Sequence, residues 1–324
     1  MLGGIVTHPS VVAAIDFGGS KIAAAVCDLS GNRLASSRVD TRAGDGSPAG
    51  LAGARAIFDR GVRITRELLA AAAPDSDLAA VGVATFGIPT EDRVLLAPAI
   101  DGWESLALGR ELRAAFPGAQ LRMATDVKAA AAAEYRWGAL RGCDPGVYLN
   151  LGTGLAAAIV IGGVVLAGAN GAAGEIGYNL RQPADAGDAG YLMLEEVVSG
   201  RALARLSGRP AAEAFAAGAD PRLAAITDQF TTELAFHVVN LAICIDPVRI
   251  AVGGGMTRSW DRIRPRLDAA LTAAAPYRPE LVLAGFPFDA PLVGALALAV
   301  DAIAATQADE RVNHNLHSRE GLTL

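Results

Sequence analysis

Residues 11–40 read VVAAIDFGGSKIAAAVCDLSGNRLASSRVD. The apolar run VVAAID ends at a pair of glycines, a second run KIAAAVCDL follows, and after Ser30-Gly31-Asn32 comes a third, RLASSRVD. Short apolar runs separated by glycine-containing turns predict three strands in an antiparallel meander. The stretch from Ala43 to Gly50 then leads into a predicted helix with Ile57, Phe58, Ile64, Leu68 and Leu69 on its apolar positions, and Ala79 to Ala84 reads as a buried strand. The plan restarts near Leu121 with a short strand, a helix from Asp126 to Trp137, strands at Val147 to Leu151 and Leu155 to Ile161, and a Gly162-Gly163 turn into another strand. A helical stretch around Pro221 to Ala242, a strand from Val248 to Val252, a glycine triplet, a helix from Trp260 to Ala274 and a last helix from about Leu292 complete the pattern. Two α/β halves built alike are expected to face each other across a cleft, where ligands bind.

Composition narrows the class of function. A length of 324 residues favours two lobes over one core, and 52% hydrophobic with 19% charged residues is a globular balance. A net charge of -6 gives no attraction to nucleic acid, so a small neutral partner is expected. Cys27, Cys143 and Cys244 are odd in number and scattered, which fits a reducing cytoplasm better than a disulfide framework. The opening MLGGIVTHPSVV lacks a basic segment before a long apolar one, and no run reaches the roughly 18 apolar residues of a membrane span, so no membrane segment is expected. Alanine runs such as 129–133 fall inside helical patterns and suit tight helix packing, while the tail after Gln307 is polar and is expected to fray.

Three glycine-bearing turns carry the candidate chemistry. In Asp16-Phe17-Gly18-Gly19-Ser20-Lys21, Gly18 and Gly19 let backbone approach phosphate oxygens, Ser20 and Lys21 can donate to them, and Asp16 can hold magnesium directly or through water. The pattern lacks the Gly-Lys-Ser/Thr ending of a Walker A loop. Asn150 to Leu155 repeats the device with Gly152, Thr153 and Gly154, and the segment from Asp246 ends in Gly253, Gly254 and Gly255 before a helix, suited to a nucleotide. Taken singly, each reads equally well as a structural turn.

The order DFGGSK at 16–21, GIP at 87–89, TDVKAAA at 125–131, LGTG at 151–154, GAAGEIGY at 171–178, EEVVSG at 195–200 and DPVRIAVGGG at 246–255 resembles the ROK family of sugar kinases and related repressors, within the actin-like, hexokinase-like ATPase superfamily. The resemblance implies a two-lobed actin-like (ribonuclease H-like) α/β fold with a central cleft. Its lobes would be residues 1–122, completed by a C-terminal helix at 292–306, and residues 123–291 with a sugar-binding loop, followed by a polar tail at 307–324. It also implies ATP and Mg2+ as cofactors, a homodimer, and phosphorylation of a hydroxyl on a sugar or sugar-like polyol. Asp126 is the implied catalytic base, accepting the hydroxyl proton, and its position also suits a helix N-cap. Glu175 and Glu195 would accept hydrogen bonds from the acceptor's hydroxyls, with Glu196 competing for the second role.

Two departures from the family pattern bear on the acceptor. Thr125 replaces the asparagine that usually precedes the catalytic aspartate, and Tyr178 replaces a histidine, so both are candidate substrate contacts and glucose is not a secure acceptor; a different hexose, an amino sugar or a cyclitol also fits. Many members carry zinc in the next segment, but 178–195 reads YNLRQPADAGDAGYLMLE with no Cys or His, so no structural zinc is expected and Tyr191, Leu192 and Met193 are the expected anchors. With 15 residues ahead of Asp16, a DNA-binding domain of the repressor kind is not expected. The competing reading is a sugar-sensing pseudokinase.

Overall fold

The computed structural model describes residues 9–42, 49–216 and 220–304. Most of the stretch from Ala43 to Gly50, and the polar tail at 307–324, lie outside the described residues. The chain divides into two compact units, Met1–Ala133 with Pro291–Leu324, and Glu134–Ala290.

In the first unit, β1 (Ser10–Phe17), β2 (Lys21–Asp28) and β3 (Arg33–Asp40) form the meander. After α1 (Gly50–Ala72) come β4 (Asp77–Thr85), the small hairpin of β5 (Ile88–Pro89) and β6 (Val94–Leu95), α2 (Leu108–Ala115), β7 (Gln120–Thr125) and α3 (Asp126–Trp137). The sheet runs β3-β2-β1-β4-β7, with β1 antiparallel to β2 but parallel to β4, and β4 parallel to β7. Both faces are covered. Alternation along β1 sends Ala13, Ile15 and Phe17 into a core with Ile57, Phe58 and Trp103, and Val12 and Ala14 into a second core with Ala129, Leu292, Ala295 and Ala299. Alanine on the second face lets helices come close: a Cβ on Gly294 would stand 2.8 Å from the Cα of Ala129.

The division differs from the sequence expectation of 122/123. Strand β7 pairs with β4 from Ala80↔Gln120 to Thr85↔Thr125, which makes Thr125 part of the first sheet and starts α3 directly from it. The chain passes into the second unit only at Glu134. Long-range strand pairing decided the boundary, and no local pattern in the sequence reports it.

The second unit contains β8 (Gly146–Leu151), β9 (Leu155–Ile161), β10 (Val164–Val165), α4 (Gly200–Ser207), α5 (Ala211–Ala216), α6 (Pro221–Ile245), β11 (Arg249–Gly253), α7 (Trp260–Ala274) and β12 (Glu280–Leu283). Its sheet order, β10-β9-β8-β11-β12, has the antiparallel and parallel pairings of the first. The hairpins are built alike, with residues 18–21 in the first turn and one residue fewer, 152–154, in the second. Phe17↔Ile22 closes the first with Asp16↔Ala23 behind it, and Leu151↔Leu155 closes the second with Asn150↔Ala156 behind it. Asn150 therefore stands where the first unit has Asp16. Helix α6 starts at Asp220, whose carboxylate accepts the N–H groups of Arg222 and Leu223, with Pro221 at the first helical position. Glu134 is fully buried, and its oxygens accept N–H groups from Ala139 (2.7 Å), Gly285 (2.9 Å) and Phe286 (2.9 Å), the partners a buried carboxylate requires.

Candidate active site

In the first unit the register Phe17↔Thr85 and Thr85↔Thr125 brings Asp16, Thr125 and Asp126 together at the carboxyl ends of three parallel strands, the edge where open α/β sheets receive ligands. Burial, reinforced by the nearby Asp126 carboxylate and opposed by Arg38, pushes the Asp16 carboxyl up to about 7. Thr125 is 4% exposed and its Oγ1 accepts the Lys128 N–H (3.2 Å), the third helical position, so Thr125 is the N-cap of α3. This corrects the expectation that Asp126 caps the helix. Asp126 is instead its first residue, and its Oδ1 accepts the neighbouring Val127 N–H at 2.8 Å. The Thr125 hydroxyl keeps its own hydrogen to donate while its oxygen caps the helix, so the cap is compatible with the expected substrate contact.

The turn after Asp16 is fixed from below. The Gly18 N–H donates to the Lys21 carbonyl (3.0 Å), and a Cβ on Gly18 would lie 2.7 Å from that oxygen, so only glycine fits. The buried Thr41 donates its hydroxyl to the Gly18 carbonyl (2.7 Å) and its N–H to the Ser20 carbonyl (2.9 Å), while Arg60 of α1 donates to the Thr41 carbonyl (2.6 Å). Gly19, Ser20 and Lys21 are exposed, and a Cβ on Gly19 would meet no heavy atom within 4 Å.

In the second unit the residues singled out in the sequence also converge. The Gly152 N–H donates to the Gly154 carbonyl (3.0 Å), and the carbonyls of Gly152 and Thr153 accept the N–H groups of Gly200 (2.9 Å) and Arg201 (3.2 Å) at the start of α4, which Ser199 caps through the Ala202 N–H. Gly254, in left-handed backbone with φ 90°, would place a Cβ 2.8 Å from Asn150 Oδ1, so the glycines ending β11 abut the turn. Gly253 and Gly255 flank it. Glu195 is more than a solvated charge: Oε2 accepts the Leu155 N–H (2.8 Å) and Oε1 accepts from Arg201 (2.7 Å), and a Cβ on Gly154 would lie 2.5 Å from Oε2. Glu196 Oε2 accepts the Met193 N–H (3.0 Å). Glu175 is half-buried just before a short 3-10 turn, Ile176–Tyr178, and Tyr178 is exposed.

The segment between Tyr178 and Glu195 is held differently from the expectation. Leu192 is 43% exposed and anchors nothing; Leu194, fully buried, is the apolar anchor, and Tyr191 contributes its hydroxyl, which donates to the Tyr178 carbonyl at 2.6 Å. Arg181 makes a two-point ion pair with Glu233 of α6, Nε and Nη2 each at 2.6 Å. Asp185 accepts the N–H groups of Arg181 (3.0 Å) and Gln182 (3.1 Å), and Asn179 hydrogen-bonds His237 (3.2 Å). Among the described residues no group of three or more His, Cys, Asp or Glu is arranged to hold a metal, and no helix is long and apolar enough to cross a membrane. Sequence reasoning missed Thr41, Arg60, Arg181, Glu233 and Glu134, whose partners lie far along the chain and leave no local pattern.

The ROK family model matches residues 12–302. Over 200 residues the chain is 34% identical to the bifunctional enzyme NanE/NanK of Brucella melitensis, an alignment that covers 59% of this chain and 37% of that protein. Over 196 residues it is 33% identical to a glucokinase of Streptomyces coelicolor, covering 59% and 57% respectively. The chain thus spans less than two thirds of the length of these two curated relatives. Among solved structures, the ROK hexokinase from Thermus thermophilus superposes with a TM-score of 0.72 at 26% identity over 91% of this chain and 99% of that one. The ROK family glucokinase from Streptomyces griseus, solved with glucose and AMPPNP, gives 0.67 at 29% identity over 89% and 98%. With the actin-like ATPase fold present in both its units and the family's motifs at its strand ends, the chain belongs to the ROK family.

Proposed function

We propose that this chain transfers the γ-phosphoryl group of ATP to a hydroxyl of a sugar or sugar-like polyol. The observation that carries the reading is the pair of Asp16 and Asp126 at the carboxyl ends of β1 and β7, where burial first and the nearby Asp126 carboxylate second disfavour ionisation of Asp16. The fold does not require that repulsion, since the second sheet closes the same hairpin with the neutral Asn150. Groups that cost stability without a structural return are characteristic of functional sites.

The donor set suits Mg2+, which binds through one or two protein carboxylates and completes its shell with water and substrate phosphates. Asp16 would hold the cation, which neutralises charge on the phosphate oxygens when bound. The residues of the chain divide the remaining work. Asp126 accepts the proton of the attacking hydroxyl; Ser20, Lys21 and the Gly19 N–H donate to phosphate oxygens, as do the N–H groups of Thr153 and Gly154, while Gly18 and Gly152 close the two turns with their own N–H bonds; and Gly253, Gly254 and Gly255 leave room for the nucleotide. Glu175 and Glu195 accept hydrogen bonds from acceptor hydroxyls, a role for which Glu195 must share or exchange its bond to Arg201. The case against glucose rests on Tyr178 and Thr125, whose hydroxyl caps α3 through its oxygen and can still donate to an acceptor. The proposal includes a cytoplasmic homodimer that uses neither nucleic acid, membrane nor zinc.

The test is ATP consumption with Mg2+ across hexoses, amino sugars and cyclitols, with the product identified by mass. Acceptor-dependent formation of a phosphorylated polyol is expected. Saturable polyol binding with no transfer to any acceptor would replace the kinase by a sugar sensor.

A further inference from the structure

We propose that Arg181 and Glu233 form a clamp that positions the segment bearing the acceptor-binding carboxylates Glu175 and Glu195, making both of them positioning residues for the acceptor. The inference rests on the kinase reading for its functional half. Its structural half stands on the segment itself. Between the 3-10 turns at Ile176–Tyr178 and Leu194–Glu196 the chain is irregular, with Leu180 and Leu192 exposed, so apolar burial cannot offset the backbone entropy of ordering it, about 1–2 kcal/mol per residue.

Helix α6 supplies the missing attachment. Gln229, Glu233 and His237 are spaced four apart and so lie on one face of α6. Arg181 reaches that stripe with both forks of its guanidinium, Gln229 donates to Glu233 at 3.0 Å, and Asn179 meets His237. Both members of the ion pair are only 20% exposed. Burial works to raise the Glu233 carboxyl, yet the hydrogen bonds from Arg181 and Gln229 outweigh it and hold the group below its ordinary range. A two-point, partly buried pair of this kind fixes direction as well as distance, which a lysine could not do. Asp185, within the same segment, accepts the Arg181 and Gln182 N–H groups and so fixes the local backbone from which Arg181 reaches α6.

The experiment compares the full chain with Arg181→Lys, Arg181→Met, Glu233→Gln and the exchanged pair Arg181→Glu with Glu233→Arg. Amide hydrogen exchange reads the segment without reference to activity. Protection over residues 179–193 should fall about tenfold or more in Arg181→Met and Glu233→Gln, less in Arg181→Lys, and recover in the exchanged pair, while β8 and β9 stay unchanged. In the same preparations KM for the acceptor should rise about tenfold with KM for ATP within twofold. Unchanged exchange in both single-charge variants overturns the clamp, and loosened exchange with an unchanged acceptor KM overturns its positioning role. If the unaltered chain transfers phosphate to no polyol, the kinase reading fails while the exchange data still decide the clamp.

Discussion

The two hairpin turns, Asp16–Lys21 and Asn150–Leu155, occupy the same place in sheets of corresponding order, yet they are supported in different ways. The first is held by a distant side chain, Thr41, and carries a carboxylate pushed up to about 7; the second is held by the start of α4 and by the Glu195 carboxylate, and carries a neutral amide at the matching position. Topology is therefore common to the units, while a carboxylate at this position of the strand end is confined to one. The shared part is what folding requires, and the unshared part is where chemistry was added at a cost in stability.

The largest expected effect separates Asp126 from its neighbour. Asp126→Asn keeps an oxygen for the Val127 N–H and leaves the Thr125 cap intact, so the thermal midpoint should hardly move while turnover falls roughly 10²–10⁴-fold. Near-normal turnover in a steady-state assay would remove Asp126 from the base role.

Asp16→Asn gives the first turn the residue type of the second. A carboxyl raised from 3.8 to about 7 on folding binds more protons in the folded than in the unfolded chain between those values, so the folded state loses stability as pH climbs through that window. In metal-free protein the variant should match the parent at the low end and exceed it by on the order of a few kcal/mol above the window, at 1.36 kcal/mol per unit. Denaturant melts at both ends check it, and equal stability throughout would show that Asp16 carries no such penalty.

The glycines sharpen the same contrast. Gly154→Ala puts a methyl group against Glu195 Oε2 and should cost about 1–3 kcal/mol, measurable in a denaturant melt. Thr125→Val removes the α3 cap for about 1 kcal/mol. Gly19→Ala meets no protein atom and should leave stability unchanged while weakening ATP binding in a titration; unaltered affinity would mean that nothing approaches Gly19 closely.

What could be read in the sequence follows the range of the interactions. The meander of β1 to β3, the repeat of its plan and each glycine turn by itself are local and readable from residues a few places apart. The unit boundary was not, because β7 joins the first sheet through β4, some 40 residues earlier in register (Ala80↔Gln120). Nor were the supports of the site: Thr41 and Gly18 are 23 residues apart, Arg181 and Glu233 are 52 apart, and Glu134 and Gly285 are 151 apart. The cap was misread for a different reason. Thr125 and Asp126 are adjacent, both residue types cap helices well, and only the strand end at Thr125 decides between them.

The central claim is transfer to a polyol hydroxyl, and a single-turnover reaction with ATP labelled in its γ-phosphate tests it most directly. With enzyme in excess over nucleotide and Mg2+ present, label is expected in a phosphorylated acceptor, at a rate that depends on the acceptor and collapses in Asp126→Asn. Label appearing only in inorganic phosphate, at a rate indifferent to every acceptor and to that substitution, would contradict it.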